Sequence, residues 1–75
     1  MPKLPRVNAA EMVRAVMRHG LLRDHQEGSH LTLLDPETGV KIVIPMHPGD
    51  LPVGLVHRIL KQAGISPAEF RQLLK

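Results

Sequence analysis

Histidine is the side chain that exchanges protons near neutral pH, and this chain of 75 residues has five of them, beside ten Lys and Arg and no cysteine. The missing cysteine removes disulfide scaffolds, thiolate zinc sites and cysteine nucleophiles together. What remains is proton transfer by imidazole, with cations nearby to hold a phosphate or to stabilise charge. The spacing singles out His30. From Ser29 to Asp35 the residues alternate, with Leu31 and Leu33 on one side in company with Ser29, and His30, Thr32 and Leu34 on the other. His30 is therefore expected off the core face and open to a substrate, with the Ser29 hydroxyl or the backbone after Gly28 to orient it. His47 follows a strand end, in a loop, where function commonly resides. It is one of four candidates for a second proton-transfer or charge-stabilising role, with His25, Arg23 and Lys41, and the residues alone do not rank them.

Other uses of the same residues fit less well. His25, His30 and His47 lack the His-Glu-x-x-His spacing and a cysteine partner, so neither a metal nor another cofactor is expected. Ser29 and His30 are neighbours on a strand and face opposite ways, and no nucleophile elbow surrounds them, which excludes a hydrolase pair. His19, His25 and His57 read first as solvated surface. Phosphate contacts can come from Lys3, Arg6, Arg14, Arg18, Arg23, Lys41, Arg58 and Lys61. Arg23 and Lys41 come first, since their strands flank the one that carries His30; Arg58 and Lys61 come second.

The elements that must position these groups are legible in the pattern. Asn8 and Glu11 form a capping box ahead of Ala9, Met12, Val13 and Val16, which predicts an amphipathic helix over Ala9 to His19 with Gly20 beyond its end. Leu21 to Gln26 reads as a strand, Glu27-Gly28 as a tight turn and Ser29 to Asp35 as a second strand. Asp35-Pro36-Glu37-Thr38-Gly39 is turn chemistry, and the β-branched run Val40 to Ile44 returns as a third strand that Pro45 stops. A second helix opens at Leu51 or Pro52, with Leu55, Val56, Ile59, Leu60 and Ala63 as its apolar stripe and Gly64 at its end. Ser66, Pro67 and Glu69 start a short last helix that presents Phe70, Leu73 and Leu74 to the body. The order α-β-β-β-α-α with hairpin connections predicts an antiparallel three-stranded sheet covered by helices on one face. This is an α+β sandwich, the layout of double-stranded-RNA-binding domains. Leu34 and Val43 then fall on the uncovered face as an apolar patch of the kind that marks a partner surface.

Composition limits the rest. The length allows one domain over residues 1–75, with 1–7 as an irregular, basic N-terminal arm. Phe70 is the single aromatic residue, so no stacking platform for bases exists. A net charge of +3 attracts polyanions without identifying one. No apolar run is long enough for a spanning helix or a secretory core, so a soluble, unprocessed chain in a reducing cytoplasm is expected, with no membrane partner.

Three blocks carry a more specific signal: Gln26-Glu27-Gly28-Ser29-His30, then Ile44-Pro45-Met46-His47, then Ile59-Leu60-Lys61-Gln62-Ala63-Gly64-Ile65-Ser66 with Phe70. In order and spacing they closely resemble the HicA toxin family, small mRNA interferases of bacterial and archaeal toxin–antitoxin pairs, over about Asn8 to Leu74. The resemblance implies a double-stranded-RNA-binding-domain-like fold, RNA (mRNA) as substrate and neutralisation by a HicB-like antitoxin. It places the catalytic histidine on His30 and the family's glycine on Gly28, and His47 matches a frequent family position. Gly28, Ser29 and His47 are thus the candidates for catalytic support, and the free toxin is expected to be a monomer. Leu21 stands where the family often has an aromatic residue, and Gly54-Leu55 where it often has Gly-Thr; the second change removes a hydroxyl available for RNA contact or capping. The competing reading is a non-catalytic RNA-binding module of the same fold, which has no need of the Gly28-Ser29-His30 block.

Overall fold

The computed structural model describes residues 4–75. The expected cation Lys3 and the start of the N-terminal arm lie outside the described residues. Asn8 caps the first helix, α1 (Ala9–His19). Its side chain accepts the Glu11 N–H at 2.8 Å, while the Glu11 carboxylate accepts the Asn8 N–H at 3.0 Å. Such reciprocal capping is worth about 0.5–2 kcal/mol and fixes where the helix begins. Three strands follow, β1 (Leu22–Glu27), β2 (His30–Leu34) and β3 (Lys41–Pro45), and then α2 (Val53–Ala63) and α3 (Pro67–Leu73). The sheet is antiparallel in the order β1-β2-β3.

One face of the sheet makes the core. Leu31, Leu33, Ile42 and Ile44 project from β2 and β3 with no more than 2% of their surface exposed, against Met12 and Val16 of α1, Ile59 of α2 and Phe70 of α3. β1 contributes no buried residue: its polar sequence, Leu-Arg-Asp-His-Gln-Glu, leaves all six positions exposed. It is an edge strand that the helices do not cover. The last helix is fastened to the first by polar contacts. His19 Nδ1 lies 2.6 Å from Glu69 Oε2, and Arg18 Nη1 donates to the carbonyls of Leu73 and Lys75 at 2.7 and 2.6 Å, so a cation sits at the negative end of α3. His19 is thus a packed, partnered group and not the solvated one expected.

The elements agree with the pattern in type and order. The strand ends differ by a residue, and β3 includes the Pro45 expected to stop it, which lies across from His30. Three further departures have identifiable reasons. The first tight turn is Gly28-Ser29, not Glu27-Gly28, so Glu27 belongs to β1 and pairs with His30. Gly28 has φ 56° and Ser29 does not have a positive φ, the sign pattern of a II′ hairpin turn, which places glycine at the first central position. The register also shifts between Arg23 and His25, a β-bulge at Asp24 that strict alternation does not anticipate. Finally, α2 starts at Val53, because the Leu51 N–H is bound to the Val7 carbonyl at 2.8 Å and Leu51 is buried in the core. Val7 itself is buried, so the lead-in is tied down at its inner end.

Two predictions test these local devices. A Cβ on Gly28 would meet no atom within 4 Å, so any cost of substitution comes from the left-handed backbone. Gly28→Ala should then destabilise by about 1–3 kcal/mol, read from urea midpoints; a neutral Gly28→Ala would contradict the II′ assignment. The second hairpin loop is held by Asp35, whose carboxylate accepts the Glu37 N–H at 2.9 Å, and that bond holds its pKa below the ordinary value. The ionised form therefore favours the folded state at pH above the ordinary carboxylate range, and this contribution disappears as pH falls through the lowered folded value. The stability gap between wild type and Asp35→Ala should narrow in acid, and a gap that widens there would contradict the assignment.

Candidate functional site

Register decides which side chains share the uncovered face. Cross-strand partners lie on the same side of a sheet, so Leu22, Leu34 and Lys41 form one row, His25, Thr32 and Val43 a second, and Glu27, His30 and Pro45 a third. His30 stands at one end of this face, exposed, on the central strand. Thr32 shares the face but is only 8% exposed, since it lies at the middle of the grid. The side chain directly across from His30 is the carboxylate of Glu27. Placing the turn one residue early hides this neighbour; the rule that the residues flanking a two-residue turn pair with each other reveals it.

His30 and His47 come together although seventeen positions separate them in the chain. Their ring centroids are 6.4 Å apart and the rings are inclined at 80°. The loop that carries His47 is pinned on both sides. At its start the Met46 N–H donates to the Ser29 carbonyl, which fastens the loop to the turn preceding His30. At its end Asp50 bridges to Asn8, and the Leu51 N–H binds Val7, so the far side is held at the first turn of α1. Ser29 acts in this arrangement through its carbonyl. His25 belongs to the neighbouring row, with Nδ1 2.9 Å from Asp24 Oδ2, so the bulge delivers an aspartate–histidine pair to the same face. His30 and His25 are diagonal neighbours, which by strand geometry separates them by about 7–8 Å.

The four cations singled out do not converge. Lys41 is on the open face but at its opposite end, four residues along β3 from the partner of His30, or about 13 Å. Arg23 pairs with Leu33 and so faces the helix side, where it borders a groove together with Arg14 and Arg18 of α1. The bulge is what separates Arg23 from the face of His25 and His30. Arg58 and Lys61 are exposed on α2. Among the described residues no three His, Cys, Asp or Glu side chains gather into a group able to hold a metal ion.

The open face also carries the expected apolar patch, larger by one residue. Val43 is 49% exposed and Leu34 half-buried, and Leu22, across from Leu34, is 56% exposed. Four features of the molecule are now fixed: the α-β-β-β-α-α order, the II′ turn before His30, the pinned loop with His47, and the helix-covered leucine and isoleucine face. Among the described residues no helix is long and apolar enough to cross a membrane. No curated protein matches the chain. A family model described as the HicA toxin of bacterial toxin-antitoxin matches residues 9–65, about three quarters of the chain, a span that runs from the first residue of α1 to just past α2 and contains the whole sheet with both histidines. On that match the chain belongs to the HicA toxin family.

Proposed function

We propose that this toxin is a metal-independent endoribonuclease in which His30 transfers a proton at the scissile phosphodiester and His47 supplies the second imidazole. The observation that carries the reading is the pair itself: two histidines from distant segments, 6.4 Å apart, on the uncovered end of the sheet. A separation of 6.4 Å between ring centroids leaves room for a phosphodiester between the two imidazoles, one facing the attacking 2′-oxygen and the other the departing 5′-oxygen across phosphorus. In the reaction the ribose 2′-oxygen attacks phosphorus and gives its proton to one imidazole. The 5′-oxygen leaves with a proton from the other, so the products are a 2′,3′-cyclic phosphate and a 5′-hydroxyl, and the proton count balances. Neither step asks for a group beyond the two rings. Glu27, the cross-strand neighbour of His30, puts a carboxylate on the same row, and the Asp24–His25 pair lies one row further along the face.

The substrate class is RNA, mRNA in the cell, and the partner is a HicB-like antitoxin. Leu22, Leu34 and Val43 support the latter, because a protein seated on that patch lies over the face that carries His30 and excludes RNA from it. Burial of the patch would be the driving force, and closure of the site its consequence.

Purified protein should cleave RNA in the presence of EDTA. His30→Ala should lower the rate about 10²–10⁴-fold, the usual contribution of a positioned acid or base, with an unchanged circular dichroism spectrum. His47→Ala should fall between that variant and wild type. Expression should arrest growth, and co-expression of the antitoxin should relieve the arrest. Cleavage at full rate by His30→Ala would sink the catalytic assignment, and RNA binding without turnover by wild type would leave a binding module.

A further inference from the structure

The groove on the helix side of β1 has no part in the reaction as described, yet it lies close to the site. Its volume is about 440 Å³, the size of a nucleotide or two and far too small for a duplex. Val13 and Met17 of α1 and Met46 form its apolar floor, while Arg14, Arg18 and Arg23 stand around it and no acidic side chain lines it. Met46 and Ala10 also line a second depression, of about 320 Å³, which continues along the start of α1 to His47. The two hollows share Ala10 and Met46 as walls and so lie side by side, the first bordered by three arginines and the second by the imidazole 6.4 Å from His30.

Two of the three charges around this groove, Arg14 and Arg23, have no acidic partner within ion-pair distance among the described residues, where the close ion pairs are His19 with Glu69 and His25 with Asp24. Arg18 spends hydrogen bonds on two backbone carbonyls, which fix its position and leave its positive charge in place. A group of cations around one groove matches the negative charge of a phosphate backbone, and a floor of aliphatic and thioether groups gives bases a polarisable surface where aromatic side chains are missing. An acidic protein segment would also meet the arginines, but it would have no reason to extend from there toward the histidine pair.

We infer that the groove between α1 and β1 is the track of the single-stranded RNA substrate, with Arg14 and Arg23 as its phosphate contacts and Met17 and Met46 beneath the bases, and that it feeds the strand past Met46 to His47 and His30. The inference rests on the reading of that pair as the chemical centre. It moves the phosphate contacts from Lys41 on the open face, and from Arg58 and Lys61 on α2, to the arginines of α1 and β1.

The test measures binding separately from turnover. In a His30→Ala background, a fluorescein-labelled single-stranded RNA is titrated by anisotropy over a range of salt concentrations. Adding Arg14→Gln with Arg23→Gln should weaken binding about tenfold at low salt, and should lower the slope of log affinity against log salt by about 1.4, since each single-strand contact contributes about 0.7. The loss should exceed that from Arg58→Gln with Lys61→Gln. In the protein with His30 intact, the arginine changes should raise KM more than they lower kcat. Unaltered RNA affinity and slope would overturn the track. So would unaltered RNA affinity with lost capture of the co-expressed antitoxin, which would give the groove to the protein partner. If His30→Ala cleaves normally, the nuclease mechanism fails while the anisotropy still decides the track.

Discussion

One backbone hydrogen bond, from the Met46 N–H to the Ser29 carbonyl, joins the two segments on which the candidate site depends. Without it the II′ turn and the loop after β3 would be separate excursions from the end of the sheet. With it, the residue after Ser29 and the residue after Met46 are both histidines held in one place. The strength of the bond matters less than where its partners sit, because a neutral backbone bond adds only about 1 kcal/mol to stability. Its effect is to carry the β2–β3 ladder one bond into the loop after β3, so that the register of the sheet also sets the distance between His30 and His47. Register is in turn set by the burial of Leu31, Leu33, Ile42 and Ile44, since a slip of one residue would turn all four to water.

The fold was readable from the sequence where one local device decides the answer. Asn8 with Glu11 gives the start of α1, Gly64 in a left-handed conformation the end of α2, and Ser66 with Pro67 the start of α3. The alternation through β2 puts His30 on the outer face, and the covered and uncovered faces follow from it. What could not be read depends on how segments meet. A bulge adds one residue to one strand without marking the sequence, and the one at Asp24 sends Arg23 to the helix side while His25 stays on the open face. Strand membership alone had put Arg23 beside His30. Arg18 likewise looked like a free surface cation, because its partners are carbonyls more than fifty positions away.

The sheet has two faces with two different jobs. The inner face supplies stability: its four large side chains are closed over by three helices, and α3 is held to α1 by His19, Arg18 and Glu69 as well as by Phe70. The outer face has no helix, which leaves room for a polynucleotide or a protein over His30, and leaves Leu22 and Val43 in water until something covers them. A small chain can sustain that arrangement because the exposed apolar area is confined to three side chains in adjacent rows.

The irregularity in β1 has an effect beyond aiming side chains. An unprotected outer strand offers its free N–H and C=O groups to any other extended chain, and copies of the same protein are the most available candidates. Here that border is kinked at Asp24 and studded with Arg23, His25 and Glu27, so a second copy finds neither a straight ladder nor a neutral one to extend. The molecule is thereby guarded against stacking into fibrils through β1, even while an apolar patch on the adjacent face stays available for capture by a different protein.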